Sequence, residues 1–299
     1  MPTIRTRYLV RGISVLALFP LLAAYAVGGE DLKVTEIGPS VLLFSTANGN
    51  AVASVGQDGA LLIGTPSRAS TDEIANVLSR RTQSPFRAVV IGPQDIAHSE
   101  GDAGWWRHQA FVAMQENALF RLGGGGMGEL KPGPVQFAGL GVERPRIAFS
   151  EVLKFDMNGD AIHIVHQKPG YSDADFIAHF HSASLVYLGN VFPGDGYPEV
   201  DSAQHGALDG FLSTLEPWTT GKLRFVPARG ALVGAADVKA FRDMITTVRD
   251  RVQAMAKAGK SEPEIVAAHP TAEFDARWGH GHVAPDAFVH EVYVAVTTK

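Results

Sequence analysis

Eleven histidines and no cysteine bound the chemistry open to this 299-residue chain. Imidazole binds metals and moves protons near neutral pH, whereas a thiolate nucleophile, a thiolate metal ligand and a disulfide are excluded. The histidines fall into groups. His98 closes the run Pro93-Gln94-Asp95-Ile96-Ala97-His98. His179 and His181 are two apart, the spacing that puts side chains on one face of a strand, whereas His163 and His166, three apart, do not share a face on a regular strand. With Asp173 or Asp175 these histidines could build a metal site, but no ligand loop surrounds them. Surface or hydrogen-bonded imidazoles are the simpler expectation. His280-Gly281-His282 lies in a glycine-rich stretch and reads as a solvated loop. Ser99 and Ser172 lack the Gly-x-Ser-x-Gly turn that would expose a serine nucleophile. Gly123 to Gly126 lacks the Gly-x-x-x-x-Gly-Lys-Ser/Thr pattern of a phosphate loop, so flexibility is its expected role.

The elements that must position these residues read as a layered α/β frame. Short apolar runs bounded by turn residues predict strands over residues 41–45, 51–55 and 60–63, with Asn48-Gly49 and Asp58-Gly59 as hairpin turns. A helix is predicted over 71–81, with Ile74, Val77 and Leu78 on one face, then a buried strand over 88–91 and a second helix over 104–119. Residues 123–141 are rich in Gly and Pro and read as a long surface loop. Strands follow over 161–166, 176–181, 185–188 and 223–226, with a helix over 206–215. Val238, Phe241, Ile245, Val248, Val252 and Met255 recur at spacings of three and four, the stripe of an amphipathic helix that ends near Gly259. Two short helices, 263–268 and 285–296, close the chain. The two halves share an order of strands and helices, and no linker divides them, so residues 27–299 read as one domain.

Several of these segments carry a family resemblance. The runs 41–63 and 88–102 and the tail Pro270-Thr271-Ala272-Glu273-Phe274-Asp275-Ala276-Arg277-Trp278-Gly279 resemble bacterial metallo-β-lactamase-fold hydrolases. So do Gly170-Tyr171-Ser172-Asp173-Ala174-Asp175, Tyr197-Pro198 and Leu208-Asp209-Gly210. The resemblance implies an αββα sandwich, two mixed β-sheets face to face with helices outside. It also implies two zinc ions at the sheet edges, whose bound hydroxide would attack a lactam, lactone, ester, thioester or phosphodiester. Such a site needs three or four nitrogen, oxygen or sulfur ligands per zinc to lower the pKa of bound water.

The positions that match the family's ligand motifs hold other residues. In the His-x-His-x-Asp-His loop Pro93 replaces the first histidine, Asp95 the second and Ala97 the aspartate, and only His98 is retained. Tyr171 stands for a later histidine, Asn190 for the bridging aspartate, Arg229 for the final histidine and Gly64 for a supporting aspartate. A guanidinium stays charged and would repel a metal beside it. The resemblance therefore implies a lost dinuclear site and no metal cofactor, with one weakly held zinc as the alternative. Two readings stay open for what replaced it. Arg229 could pair with Asp95 and leave the pocket inert. Alternatively Asp95, His98, Tyr171, Asn190 and Arg229 could line a cleft for a polar or anionic small molecule, since arginine grips carboxylate or phosphate with two parallel bonds. No catalytic residue is assigned, His98 being the one candidate. A hydrolase of esters or lactones with a single metal or a rebuilt site would use Asp95 and His98 with Asp175 or Tyr171. A partner-binding surface around residues 123–141 is the third option.

The N-terminus points to export. Arg5, Arg7 and Arg11 precede an apolar run over 13–24, and Ala24-Tyr25-Ala26 has the small-x-small form of a signal-peptidase site. The run is short of the ~20 residues of a spanning helix and contains Pro20, so residues 1–26 read as a signal peptide rather than a stable anchor. Its removal takes three arginines and no acid, moving the formal charge from −5 to −8. An acidic exported protein without a basic stripe is a poor nucleic-acid binder. A periplasmic or secreted location follows as the expectation.

Overall fold

Residues 24–27, 31–67, 69–84, 86–92, 110–122 and 147–298 are described by the computed structural model. Eight strands form one sheet in chain order: β1 (Ala24–Val27), β2 (Leu32–Gly38), β3 (Val41–Ser45), β4 (Asn50–Gly56), β5 (Gly59–Ile63), β6 (Phe86–Val90), β7 (Phe111–Gln115) and β8 (Ile147–Phe149). The first five pair antiparallel, and β5 through β8 run parallel. Six strands form the second sheet: β9 (Val152–Met157), β10 (Asp160–His166), β11 (Phe176–Phe180), β12 (Leu185–Gly189), β13 (Arg224–Pro227) and β14 (Val233–Gly234), in the spatial order β14-β13-β12-β11-β10-β9. Only β12 and β13 pair parallel there. The helices are α1 (Thr71–Arg81), α2 (Glu116–Leu122), α3 (Leu208–Leu215), α4 (Ala235–Lys257), α5 (Glu262–Val266), α6 (Asp275–Trp278) and α7 (Pro285–Thr297).

Alternation along the strands builds the layers. Val41, Leu43, Val52, Leu61, Ile63, Ala88 and Val90 of the first sheet meet Ile162, Ile164, Phe176, Ala178, Phe180 and Tyr187 of the second in one buried cluster. Their neighbours Leu42, Phe44, Ala51, Ala53, Leu62 and Val89 point the other way and pack on Ile74, Val77 and Leu78 of α1. On the far face of the second sheet Ile177, Val186, Leu188 and Phe225 pack on Phe211 of α3, the Val238–Phe241–Ile245–Val248–Val252 stripe of α4, and Phe288 and Val292 of α7. The result is helix, sheet, sheet, helix. Strands buried on both faces read as unbroken apolar runs rather than as alternating ones.

That rule explains one difference from the sequence expectation. Residues 111–115, expected inside a helix over 104–119, form β7, and the helix begins only at Glu116. Phe-Val-Ala-Met-Gln is a short apolar run whose last four residues are buried, and periodicity cannot separate such a run from a buried helix. Residues 104–109 lie outside the described residues, as does the loop expected over 123–141. Residues 24–27, expected at the signal-peptidase site, pair with β2 as an edge strand. Cleavage after Ala26 would leave β2 at that edge.

The resemblance segments have structural work. Tyr197 donates from its Oη to Asp275 Oδ1 at 2.7 Å and stacks on Phe288 at 4.8 Å between ring centroids. The Tyr-Pro pair thereby anchors the C-terminal tail. A Cβ on Gly196 would come 2.8 Å from the Gly281 Cα, so the two loops cross closely at that glycine, while His280 and His282 are exposed as a solvated loop requires. A Cβ on Gly210 would meet the Pro169 carbonyl, which explains the glycine in Leu208-Asp209-Gly210. At the other end of the sandwich two hairpin tips clasp. Asp58 N donates to Asn158 Oδ1 at 3.0 Å, and Asn158 N to Asp58 Oδ2 at 2.7 Å.

Candidate functional site

Opposite that clasp, the start of β4 and the ends of β5, β6, β12 and β13 meet at one edge. Asn50 ties the two sheets there. Its backbone N donates to Ala228 O at 2.7 Å, and its Nδ2 donates to Pro227 O at 3.0 Å and Gly230 O at 2.9 Å. The side chain is 3% exposed, and its Oδ1 has no hydrogen-bond partner among the described residues. An orphaned buried acceptor of this kind costs roughly 1–3 kcal/mol, so its presence at a loop edge calls for an explanation. Beside it, Gly92, Asp175, Phe176, Tyr187, Gly189, Asn190 and Val191 enclose a cavity of about 20 Å³. That space suits a single water.

Asp175 is the charged group of this wall. Its Oδ2 accepts from Gly170 N at 3.1 Å and Tyr171 N at 2.7 Å, and its Oδ1 from Ser172 N and Ser172 Oγ, each at 3.1 Å. The carboxylate thus organises the whole turn 170–175 from inside. Burial pushes its pKa up to about 7, against the pull of these four bonds toward the ionised form. The same turn buries Tyr171, 3% exposed, in the helix-side cluster with Leu208 and Phe211. Tyr171 was expected to line the cleft, but it does not line this cavity. The backbone that satisfies Asp175 carries its ring into the layer under α3.

Arg229 has a carboxylate partner that its sequence neighbourhood does not announce. Its Nε donates to Asp195 Oδ1 at 3.0 Å and Oδ2 at 3.1 Å, so the partner seen is Asp195. Asp95, the partner expected from sequence, lies outside the described residues, together with Pro93, Ala97 and His98. The Arg229 side chain is 14% exposed, and both terminal nitrogens lack a partner among the described residues. It is held by Pro193 O, which accepts from its backbone N at 3.1 Å. Of the expected pocket, then, Asn190 lines the cavity, while Arg229 stands on the adjoining loop and Tyr171 in the core.

Gly64 shows why a supporting carboxylate has no place. Its φ is +78°, and a Cβ there would sit 2.5 Å from Tyr187 Oη and 3.1 Å from Asn50 O. A tyrosine from the opposite sheet fills the volume. The described residues at this edge do not fit a dinuclear zinc site: a glycine and an arginine cannot ligate, and Asn190 is a weak neutral donor. No group of three or more His, Asp or Glu side chains among the described residues is arranged to hold a metal ion.

The remaining histidines gather elsewhere. His163 of β10 pairs in register with His179 of β11, and His181 follows two residues on, all at the end of β11 away from Asp175. His163 Nδ1 and His181 Nε2 are 3.1 Å apart, and the His179 ring lies 4.0 Å from that of His181 and 5.7 Å from Trp218. The rings pack on one another on a half-exposed face. His166 instead contacts Asp173 O through Nε2 at 2.9 Å, so it does not join them. The trio was half legible: the two-residue spacing marks His179 and His181, but the cross-strand register that adds His163 is a tertiary fact.

No family model matches this chain, and no curated protein matches it by sequence. Solved structures do. A metallo-β-lactamase from Pontibacter korlensis superposes with a TM-score of 0.57 at 13% identity, over 72% of this chain and 99% of the other. The stereoselective inverting sec-alkylsulfatase Pisa1 from Pseudomonas sp. gives 0.58 at 15% identity, over 88% of this chain. The match spans half the length of that sulfatase, 50% of its chain. The DIM-1 metallo-β-lactamase exposed to ceftazidime gives 0.53 at 12% identity, over 72% of this chain and 97% of its own. With two mixed sheets, outer helices and strand ends gathered at one edge, the chain is a metallo-β-lactamase-fold protein.

Proposed function

We propose that this is an exported metallo-β-lactamase-fold protein that no longer assembles the dinuclear zinc site, hydrolyses little or nothing, and holds a small polar or anionic molecule at the former active-site edge. The observation that carries the reading is Arg229. It stands where the resemblance puts a zinc ligand, is held by Asp195 through Nε alone, and keeps its two terminal nitrogens without partners among the described residues. Those nitrogens form the planar fork that suits a carboxylate, sulfate or phosphate. The water-sized cavity at Asn190 does not admit such a ligand, so the binding surface is the loop edge above it.

Calorimetric titration with a panel of small carboxylates, sulfates and phosphates tests this. Saturable binding that weakens about tenfold in Arg229→Ala is the expected result, the loss of one charge-assisted contact pair. Undiminished binding in Arg229→Ala would refute the site. A β-lactam, a lactone, an ester and a secondary alkyl sulfate, run alongside with wild-type protein, should show no turnover above background. Robust turnover of any of them would replace this reading with that of a hydrolase using a rebuilt site.

A further inference from the structure

A second cleft lies on the helical layer, outside the 170–175 turn. The stripe Arg242, Thr246, Arg249 and Gln253, at spacings of four, three and four, runs half-buried along α4 beside its buried stripe. It forms a wall of two adjoining cavities. One, of about 530 Å³, is lined by Lys168, Arg242 and Arg249 together with Gly210 and Ser213 of α3. The other, of about 610 Å³, is lined by Val200, Leu208, Val294, Ala295 and Val296, with Gln253 and Glu291. Ala207, Asp209 and Arg249 border both, so the two join around Arg249. Each has the size of a small-molecule site.

The charges are arranged unevenly. Arg242 and Arg249 are only 28% and 31% exposed, whereas their carboxylate partners are solvated: Glu216 and Asp243 beside Arg242 are 60% and 46% exposed, and Asp250 and Asp209 beside Arg249 are 60% and 89% exposed, Asp250 being the closer at 3.0 Å. Asp209 stands 3.8 Å from Arg249. Ion pairs with such solvated carboxylates are worth at most about 1 kcal/mol, so a better-placed anion can displace them. The apolar half is lined by Glu291 and Asp209 and, among the described residues, by no cation other than the shared Arg249; burial raises the Glu291 carboxyl, His290 opposes that shift, and Glu199 and Asp201 add to it. An anion is therefore directed to the Lys168–Arg242 end, and a hydrocarbon chain to Leu208, Val294 and Val296. Val294, 40% exposed, leaves that wall apolar and open.

We propose that this groove binds an elongated amphiphilic monoanion, a medium-chain carboxylate in kind, with its head at Lys168, Arg242 and Arg249 and its chain along α7. The site is independent of the strand-end edge. Decanoate, kept below its micelle concentration, is the probe for calorimetry on the whole chain, and 1-decanol is the uncharged control. One-to-one decanoate binding is expected, about tenfold weaker in Arg242→Ala and in Val294→Asp, and about tenfold weaker for decanol. Lys168→Ala, at an exposed position, should also weaken it, whereas Arg229→Ala should reduce only the binding that short carboxylates such as acetate share and leave the chain-dependent part of decanoate binding. No saturable binding, equal affinity for decanol, or full affinity in folded Arg242→Ala and Lys168→Ala would overturn the proposal. Loss of decanoate binding in Arg229→Ala would overturn it too, because it would move the ligand to the strand-end edge.

Discussion

Replacing Asp175 by asparagine separates two forces that act on the buried carboxylate at the candidate site. Four donors favour its ionised form, and burial opposes it and prevails, pushing the pKa from 3.8 to about 7. An acid with a raised folded pKa binds more protons folded than unfolded between the two values. Its stabilising contribution is full below about pH 4 and is lost as pH rises to about 7, then stays constant. At about 1.4 kcal/mol per pKa unit, the loss across that window is about 4 kcal/mol. The substituted amide carries no charge at any pH. Its single oxygen can serve one of the two donor pairs, and its NH2 faces the other, a pH-independent cost of roughly 1–3 kcal/mol. Urea unfolding of wild type and Asp175→Asn, every half unit from pH 4 to pH 8, isolates the carboxylate because all other groups cancel in the difference. Wild type should lose its advantage steadily as pH rises, so that the two curves approach or cross near pH 7. A flat difference would show that the hydrogen bonds balance burial, and one that grows with pH that they outweigh it; either would refute the reasoning.

Other outcomes follow from the same geometry. Gly64→Ala should destabilise by about 1–3 kcal/mol, from a strained positive φ and the approach to Tyr187 Oη; Tyr187→Phe in the same chain should restore part of it, and a double-mutant cycle by chemical denaturation measures the coupling. Burial first, then mutual repulsion, lowers the pKa of His179. A lowered imidazole pKa means the stability it protects is present above about pH 6.5 and falls as pH drops below it, so Trp218 fluorescence should change through that range in wild type and not in His179→Asn. Asn50→Leu should cost several kcal/mol by leaving Pro227 O and Gly230 O without their donor, read as a drop in the urea midpoint.

Much of the frame was legible because its signals are local. The α4 stripe and the Asp58-Gly59 turn announce themselves within a few residues, and the helix over 71–81 lies where its periodicity puts it. What was not legible depends on partners distant in sequence. Nothing near Gly64 says that Tyr187, from the other sheet, takes the space of a side chain there. Nothing near Arg229 chooses between Asp95 and Asp195. Tyr171 reads as a ligand-position residue by alignment, yet the bonds from its turn to Asp175 set its ring in the core. The β7 run hides for a different reason: burial on both faces erases the alternation that marks a strand.

Zinc content tests the central claim most directly. Full-length protein, purified without chelator and dialysed against a weak metal competitor to strip loosely held ions, would be analysed by mass spectrometry for metals. The account predicts zinc far below one equivalent and no change in melting temperature on adding a strong chelator. One or two equivalents of retained zinc, with destabilisation on chelation, would contradict it.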